Sequence, residues 1–169
     1  MVIRSSTCDD LPAIMEIYAY ARRFMAEHGN PNQWGRTNWP PEELIRSDIA
    51  AGKSYVCVTD DGIAGTFYYD QGEDIEPTYA SIEDGQWLDP SPYGVIHRIA
   101  GNGKSKGIGH AVIRWAGERC PHLRIDTHPD NIVMQNMLKA EGFTFCGTIY
   151  VQEDSDPRMA YERVSAPSV

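Results

Sequence analysis

The chain has 169 residues, enough for one domain with a substantial core and too few for two comfortable ones. Apolar residues make up 41% and charged residues 23%, and no run of about 18 apolar residues offers a membrane span. The net charge of −9 argues against binding nucleic acid through its phosphates and points to a cationic or small partner.

The opening residues lack the basic-then-apolar order of a secretory signal, so a cytoplasmic location is expected. Cys8, Cys57, Cys120 and Cys146 are widely spaced without a CxxC pair and read as reduced core residues. Val2 to Arg4 suits an opening strand. Thr7 and Asp10 then resemble a capping box before a helix over about 9–27, whose Ile14, Ile17, Tyr18, Ala21, Phe24 and Met25 recur at helical spacing. The segment 28–40 is a loop of glycine, proline and asparagine. Its Trp34 and Trp39 either cover a core edge or wall a substrate cleft.

A second helix is predicted from Pro41 to near Gly52. The period then changes to alternation: 54–59, a DDG turn, and 63–69 form a predicted hairpin. The polar stretch 71–92 contains a short strand candidate at 79–82 and is either a substrate loop or irregular packing. A strand at 93–100 leads into Gly103 to Glu118, GKSKGIGHAVIRWAGE. There a lysine-bearing glycine loop opens an amphipathic helix over about 107–119, an arrangement suited to a phosphate ester or diphosphate. It matches neither a Walker A loop nor a dinucleotide GxGxxG fingerprint.

A strand at 123–127, a turn at 128–131, a helix at 132–141 closed by Gly142, and a terminal hairpin of 143–151 and 158–164 complete the pattern. Residues 1–164 read as one domain and 165–169 as a tail. The order β, α, α, β, β, β, α, β, α, β, β describes a mixed α/β fold around one central sheet.

Together these features resemble the GNAT superfamily of acyl-CoA dependent N-acyltransferases over about 2–164. Three places carry the resemblance. Lys104, Ser105, Lys106, Gly107, Ile108 and Gly109 fill the family's loop pattern, with lysine where arginine or glutamine is usual. The opening IRSSTCDDLPAIMEIY looks like the family's first strand and helix, and DNIVMQNMLKAEGF (130–143) like its late asparagine-opened helix.

The resemblance implies an α/β fold of GNAT type, a mixed central sheet flanked by helices and splayed at its central strand. It implies acetyl-CoA as acyl donor, backbone groups of Ile99 and Ala100 on the pantetheine arm, the loop from Lys104 to Gly109 on the diphosphate, and Asn131 assisting through its amide. Asn131 also suits a plain helix cap. Many members carry a tyrosine seven residues after that asparagine as the acid for the departing thiolate, whereas this chain has Leu138. The expected activity is transfer of an acetyl group to a primary amine by direct attack in a ternary complex. The alternative is a non-catalytic acyl-CoA sensor or partner-binding module.

An amine nucleophile must lose a proton, and His97 on the central strand is the candidate base, with Tyr93 on the same strand face as a candidate second member. Asp126 and His128 share a face of the next strand and read as a local hydrogen bond. No third ligand stands at metal spacing, so no metal is expected. The expected partners are a small-molecule or peptide amine, with neither nucleic acid nor membrane, and a homodimer is left open.

Overall fold

The structure is a computed structural model that describes residues 1–165. In chain order it contains β1 (Val2–Ser5), α1 (Leu11–Glu27), α2 (Glu42–Ala50), β2 (Ser54–Thr59), β3 (Gly62–Gly72), β4 (Tyr93–Gly101), α3 (Ile108–Gly117), β5 (His122–Thr127), α4 (Ile132–Ala140), β6 (Thr144–Tyr150) and β7 (Pro157–Val164). This is the order read from the sequence. The seven strands form one mixed sheet in the order β1-β2-β3-β4-β5-β7-β6. Through its contacts the chain divides into two compact units, one of Met1–Tyr69 with His97–Val112, the other of Asp70–Ile96 with the chain from Ile113 onward.

In the first unit, the Thr7–Asp10 capping box forms, and a single 3-10 turn at Cys8–Asp10 leads into α1. Thr7 N–H donates to Asp10 Oδ2 at 2.8 Å, and Arg4 grips both Asp10 oxygens at 2.7 and 2.9 Å. The apolar face of α1 then buries Leu11, Ile14, Ile17, Tyr18 and Ala21 beside Ile45 of α2, Val56 of β2 and Ala100 of β4. Trp34 belongs to the same core, edge-on to Tyr18 at 5.8 Å, and Trp39 packs partly buried against it. Between the two readings of these tryptophans, Trp34 follows the core one. β2 and β3 pair antiparallel with Thr59 opposite Gly62, and Gly62 takes φ +107 as the turn demands.

In the second unit, β5 runs parallel to β4 through Gly94–Leu123 and Val95–Arg124, and antiparallel to β7 along its whole length. β7 therefore lies inside, with β6 beyond it. Burial of Arg158, Ala160, Tyr161 and Glu162 in β7 fits a strand covered on both faces. Asn131 caps α4 by accepting from Met134 N–H at 3.1 Å.

Two sequence expectations change. The strand candidate at 79–82 is absent: Pro77, which fixes φ and offers no N–H, starts a single 3-10 turn at Pro77–Tyr79, and Glu83, just beyond the candidate, forms an isolated bridge to Thr148. Of the four cysteines, Cys57 and Cys146 are buried but Cys8 is exposed, on the first turn ahead of α1, and all four are free. The tail from residue 166 lies outside the described residues.

Candidate active site

The glycine loop is held by a residue that the sequence pattern overlooked. Asn102 donates its backbone N–H to Ala64 O at 2.9 Å, which ties the end of β4 to β3. Its side-chain Oδ1 accepts from Lys104 N–H at 2.9 Å and Ser105 N–H at 3.1 Å, so one asparagine folds the chain back on itself. Gly103, at φ +75, lies so close to Tyr20 that a Cβ would collide with the phenol. Gly107, at φ +77, has open space around it, so conformation rather than crowding calls for glycine there. Lys104 and Lys106 are exposed.

From Gly107, whose carbonyl accepts Ala111 N–H at 3.0 Å, the chain enters α3. The first-turn N–H groups of a helix have no partner within it and carry its positive dipole end. Here they follow two exposed lysines and a left-handed glycine, a donor set that fits a phosphate or diphosphate group.

Upstream on β4, Ala100 is buried in the core and Ile99 half-buried. His97 is also half-buried, its ring 5.7 Å from that of Tyr68. Next to it Arg98 takes φ +56, a left-handed conformation rare for a side-chain-bearing residue and unexpected inside a strand. Its carbonyl accepts from the Tyr18 hydroxyl at 3.1 Å, and its guanidinium pairs with Asp48 of α2 at 2.5 Å and lies 4.9 Å from the Tyr68 ring. Burial pushes the Tyr18 phenol up to about 12, so it stays a donor. Burial also raises the Asp48 carboxyl above its ordinary value, a larger effect than the opposing pull of Arg98.

The remaining predicted residues lie in the second unit. Tyr93 is buried with Arg124 4.2 Å from its ring, and burial raises its phenol above the ordinary value. Asn131 is 9% exposed and spends its side-chain oxygen on the α4 cap. Leu138, where the resemblance asks for an acid, is fully buried core. Asp126 and His128 are engaged with different residues: Asp126 accepts from Tyr79 at 2.7 Å, while His128 faces Asp156 at 3.1 Å and accepts Asp130 N–H at 3.0 Å. Among the described residues no group of three or more His, Cys, Asp or Glu side chains could hold a metal ion, and no helix is long and apolar enough to cross a membrane.

Sequence reasoning missed Asn102, Arg98 and Asp48. Asn102 carried a signal, an asparagine directly before a glycine at the end of a strand. Arg98 and Asp48 carried none, because their pairing spans 50 residues.

No family model matches the sequence, and no curated protein matches it. Solved structures do match. A GNAT-family acetyltransferase from Streptococcus agalactiae is 28% identical, with a TM-score of 0.86 over 98% of this chain and 95% of that one. A GNAT-family acetyltransferase from Listeria monocytogenes is 20% identical, with a TM-score of 0.70 over 96% of this chain and 93% of that one. A ribosomal-protein-alanine N-acetyltransferase from Brucella melitensis is 18% identical, with a TM-score of 0.62 over 97% and 99%.

Proposed function

This chain has the fold of the GNAT acetyltransferases, and we propose that it is an N-acetyltransferase moving an acetyl group from acetyl-CoA to a primary amine in the cytoplasm. The observation that carries this reading is the loop from Asn102 to Gly107, folded by Asn102 and opening α3 through a left-handed glycine. In the proposal the first-turn N–H groups of α3 bind the CoA diphosphate, with Lys104 and Lys106 supplying positive charge. Lysine in place of arginine forgoes the bidentate fork but keeps the charge.

Acetyl-CoA, when bound, supplies a thioester carbonyl that an unprotonated amine can attack directly. The backbone groups of Ile99 and Ala100 are proposed to bind the pantetheine arm, and the side-chain amide of Asn131 to assist. An amine of ordinary pKa near 10 is mostly protonated at neutral pH, so a base must first accept its proton. His97 is the proposed acceptor, being half-buried on the same strand as Ile99 and Ala100. Tyr93, whose phenol is kept protonated by burial, is the weaker second member. Attack forms the C–N bond and breaks the C–S bond, and the proton needed by the thiolate comes from water or from a side chain other than residue 138.

Calorimetry with CoA, followed by a thiol-release assay across an amine panel, tests the reading. Saturable CoA binding with amine-dependent thiol release, and no stable label on the protein after incubation with labelled acetyl-CoA, is expected. Absence of CoA binding would overturn it. The buried Leu138 favours one rival, an acyl-CoA-binding module without turnover. That rival would bind CoA yet release thiol at the same slow rate with or without any amine.

A further inference from the structure

The second unit holds an open cavity of about 310 Å³ lined largely by the polar insertion that follows β3. Two chemistries line it. One is aromatic: Tyr79, Trp87 and Tyr93, with ring centroids 5.0 Å apart for Tyr79–Trp87 and 6.2 Å for Tyr79–Tyr93. The other is acidic: Glu73, Asp74 and Asp89. Trp87 is locked in place by its indole N–H, which donates to Tyr79 O at 2.9 Å, and it remains only partly buried.

Arg124 also lines the cavity, and its state decides which ligand fits. The guanidinium lies 4.2 Å from both the Trp87 and Tyr93 rings, its Nε donates to Glu162 at 2.9 Å, and its Nη2 donates to Asp89 O at 2.7 Å. Glu162 is wholly buried, so the positive charge of Arg124 is matched within the fold. Of the three acidic side chains, Asp89 accepts Ser91 N–H at 2.7 Å. Glu73 and Asp74 are exposed at the mouth and make no hydrogen bond or ion pair within the described residues. The cavity thus joins an aromatic wall to two uncompensated carboxylates.

We propose that this cavity binds an organic cation, its ammonium group at Glu73 and Asp74 and its apolar body against Trp87 and the neighbouring tyrosine rings. Ring faces and carboxylates attract the same charge, and each gains strength where water is partly excluded. An anion would meet three carboxylates beside a guanidinium already paired. A neutral apolar molecule would leave the carboxylates unmatched. The inference goes beyond the acyl-transfer reading, and its failure would leave that reading untouched, because CoA binding is measured separately on the same sample.

The test is calorimetry on the full chain with three probes that share a phenyl ring and a two-carbon tether: phenethylamine, 3-phenylpropionate and 2-phenylethanol. Phenethylamine should bind saturably and at least about tenfold more tightly than the other two, a difference of about 1.4 kcal/mol. The double variant Glu73→Gln with Asp74→Asn should weaken phenethylamine about tenfold with an unchanged melting temperature. Both positions are exposed, and asparagine tolerates the left-handed φ of +49 at residue 74. Trp87→Ala should weaken all three probes. Equal or tighter binding of 3-phenylpropionate would make Arg124 the recognition group and overturn the proposal. An unchanged phenethylamine affinity in the double variant, or no saturable binding of phenethylamine, would overturn it as well.

Discussion

Arg98 and Asp48 meet at 2.5 Å, with each side chain only 12% exposed, and the pair secures a strand residue held at φ +56. A left-handed arginine inside β4 persists only if its surroundings hold it, and here Tyr18 takes the carbonyl while Asp48 takes the guanidinium. Arg98 Nε is buried without a partner, so Asp48 is the main compensation for that charge. Asp48→Ala should therefore cost about 3–5 kcal/mol in urea unfolding, as breaking a buried ion pair does. A loss under about 1 kcal/mol would mean that the arginine escapes to water when its partner is removed.

Gly107 separates conformation from crowding. A Cβ there meets nothing within 4 Å, so Gly107→Ala should cost only the strain of a left-handed residue, about 1–2 kcal/mol, and leave the fold intact. Gly107→Asp adds a negative charge where the CoA diphosphate is proposed to sit, and CoA affinity should fall more than about tenfold. Calorimetry on the folded variants checks both, and unchanged CoA affinity in Gly107→Asp would contradict the loop assignment.

The fold was legible where local rules suffice. The Thr7–Asp10 box, the apolar stripe of α1, the turn before Gly62 and the Asn131 cap are each written within a few residues, and each formed. What depended on distant partners was not legible. Tyr79 opens the strand candidate at 79–82, but its hydroxyl reaches Asp126, 47 residues away, and Pro77–Tyr79 forms a 3-10 turn instead. Glu162 lies on the terminal strand, and its donors His122, Arg124 and Leu88 are 40, 38 and 74 residues away, so nothing local marks it as a buried carboxylate. The candidate site divides the same way: the glycines and lysines of the loop stand out in the sequence, whereas the Arg98–Asp48 pair and the aromatic cavity arise only from tertiary packing.

His97 is tested by pH rather than by rate alone. If it accepts the amine proton, kcat/KM should fall on the acid side. A folded His97→Gln variant should lose that limb along with about a hundredfold in kcat/KM. A variant with lowered stability but the parental profile would leave His97 as a packing partner of Tyr68.

Two aspartates in the first unit should tilt the acid stability curve in opposite directions. The Arg4 fork lowers Asp10 from 3.8 to about 2, against the opposing effect of burial. The folded state thus binds that proton less readily, so Asp10 contributes stability above pH 3.8 that is lost as the pH falls toward 2. Because Arg4 is 44% exposed, the contribution is about 1 kcal/mol. Asp48 is raised, so its folded form binds the proton more readily and its contribution declines as the pH rises above 3.8. Asp10→Asn should flatten the rise of stability between pH 2 and 4, and Asp48→Asn should steepen the rise above pH 4, both read by denaturant titration at each pH.

Glu162 in the second unit is a buried carboxylate shared by three donors. Its side chain is 0% exposed and accepts from His122 at 2.5 Å, from Arg124 at 2.9 Å and from Leu88 N–H. Burial alone would raise its carboxyl, but these three donors together hold it below its ordinary value. The ionised form therefore contributes stability above pH 4.5 that disappears as the pH falls through the depressed value. Glu162→Ala removes the shared acceptor and leaves a buried guanidinium unmatched, at a cost of about 3–5 kcal/mol. Glu162→Gln keeps the shape and one acceptor oxygen, so it should cost less, about 1–3 kcal/mol. Since Leu88 belongs to the insertion that lines the cavity, hydrogen exchange at its amide should accelerate in both variants before global unfolding. Leu88 exchange at the parental rate in Glu162→Gln would show that the insertion is held by its other anchors, Arg124 to Asp89 O and Gln86 N–H to Cys146 O.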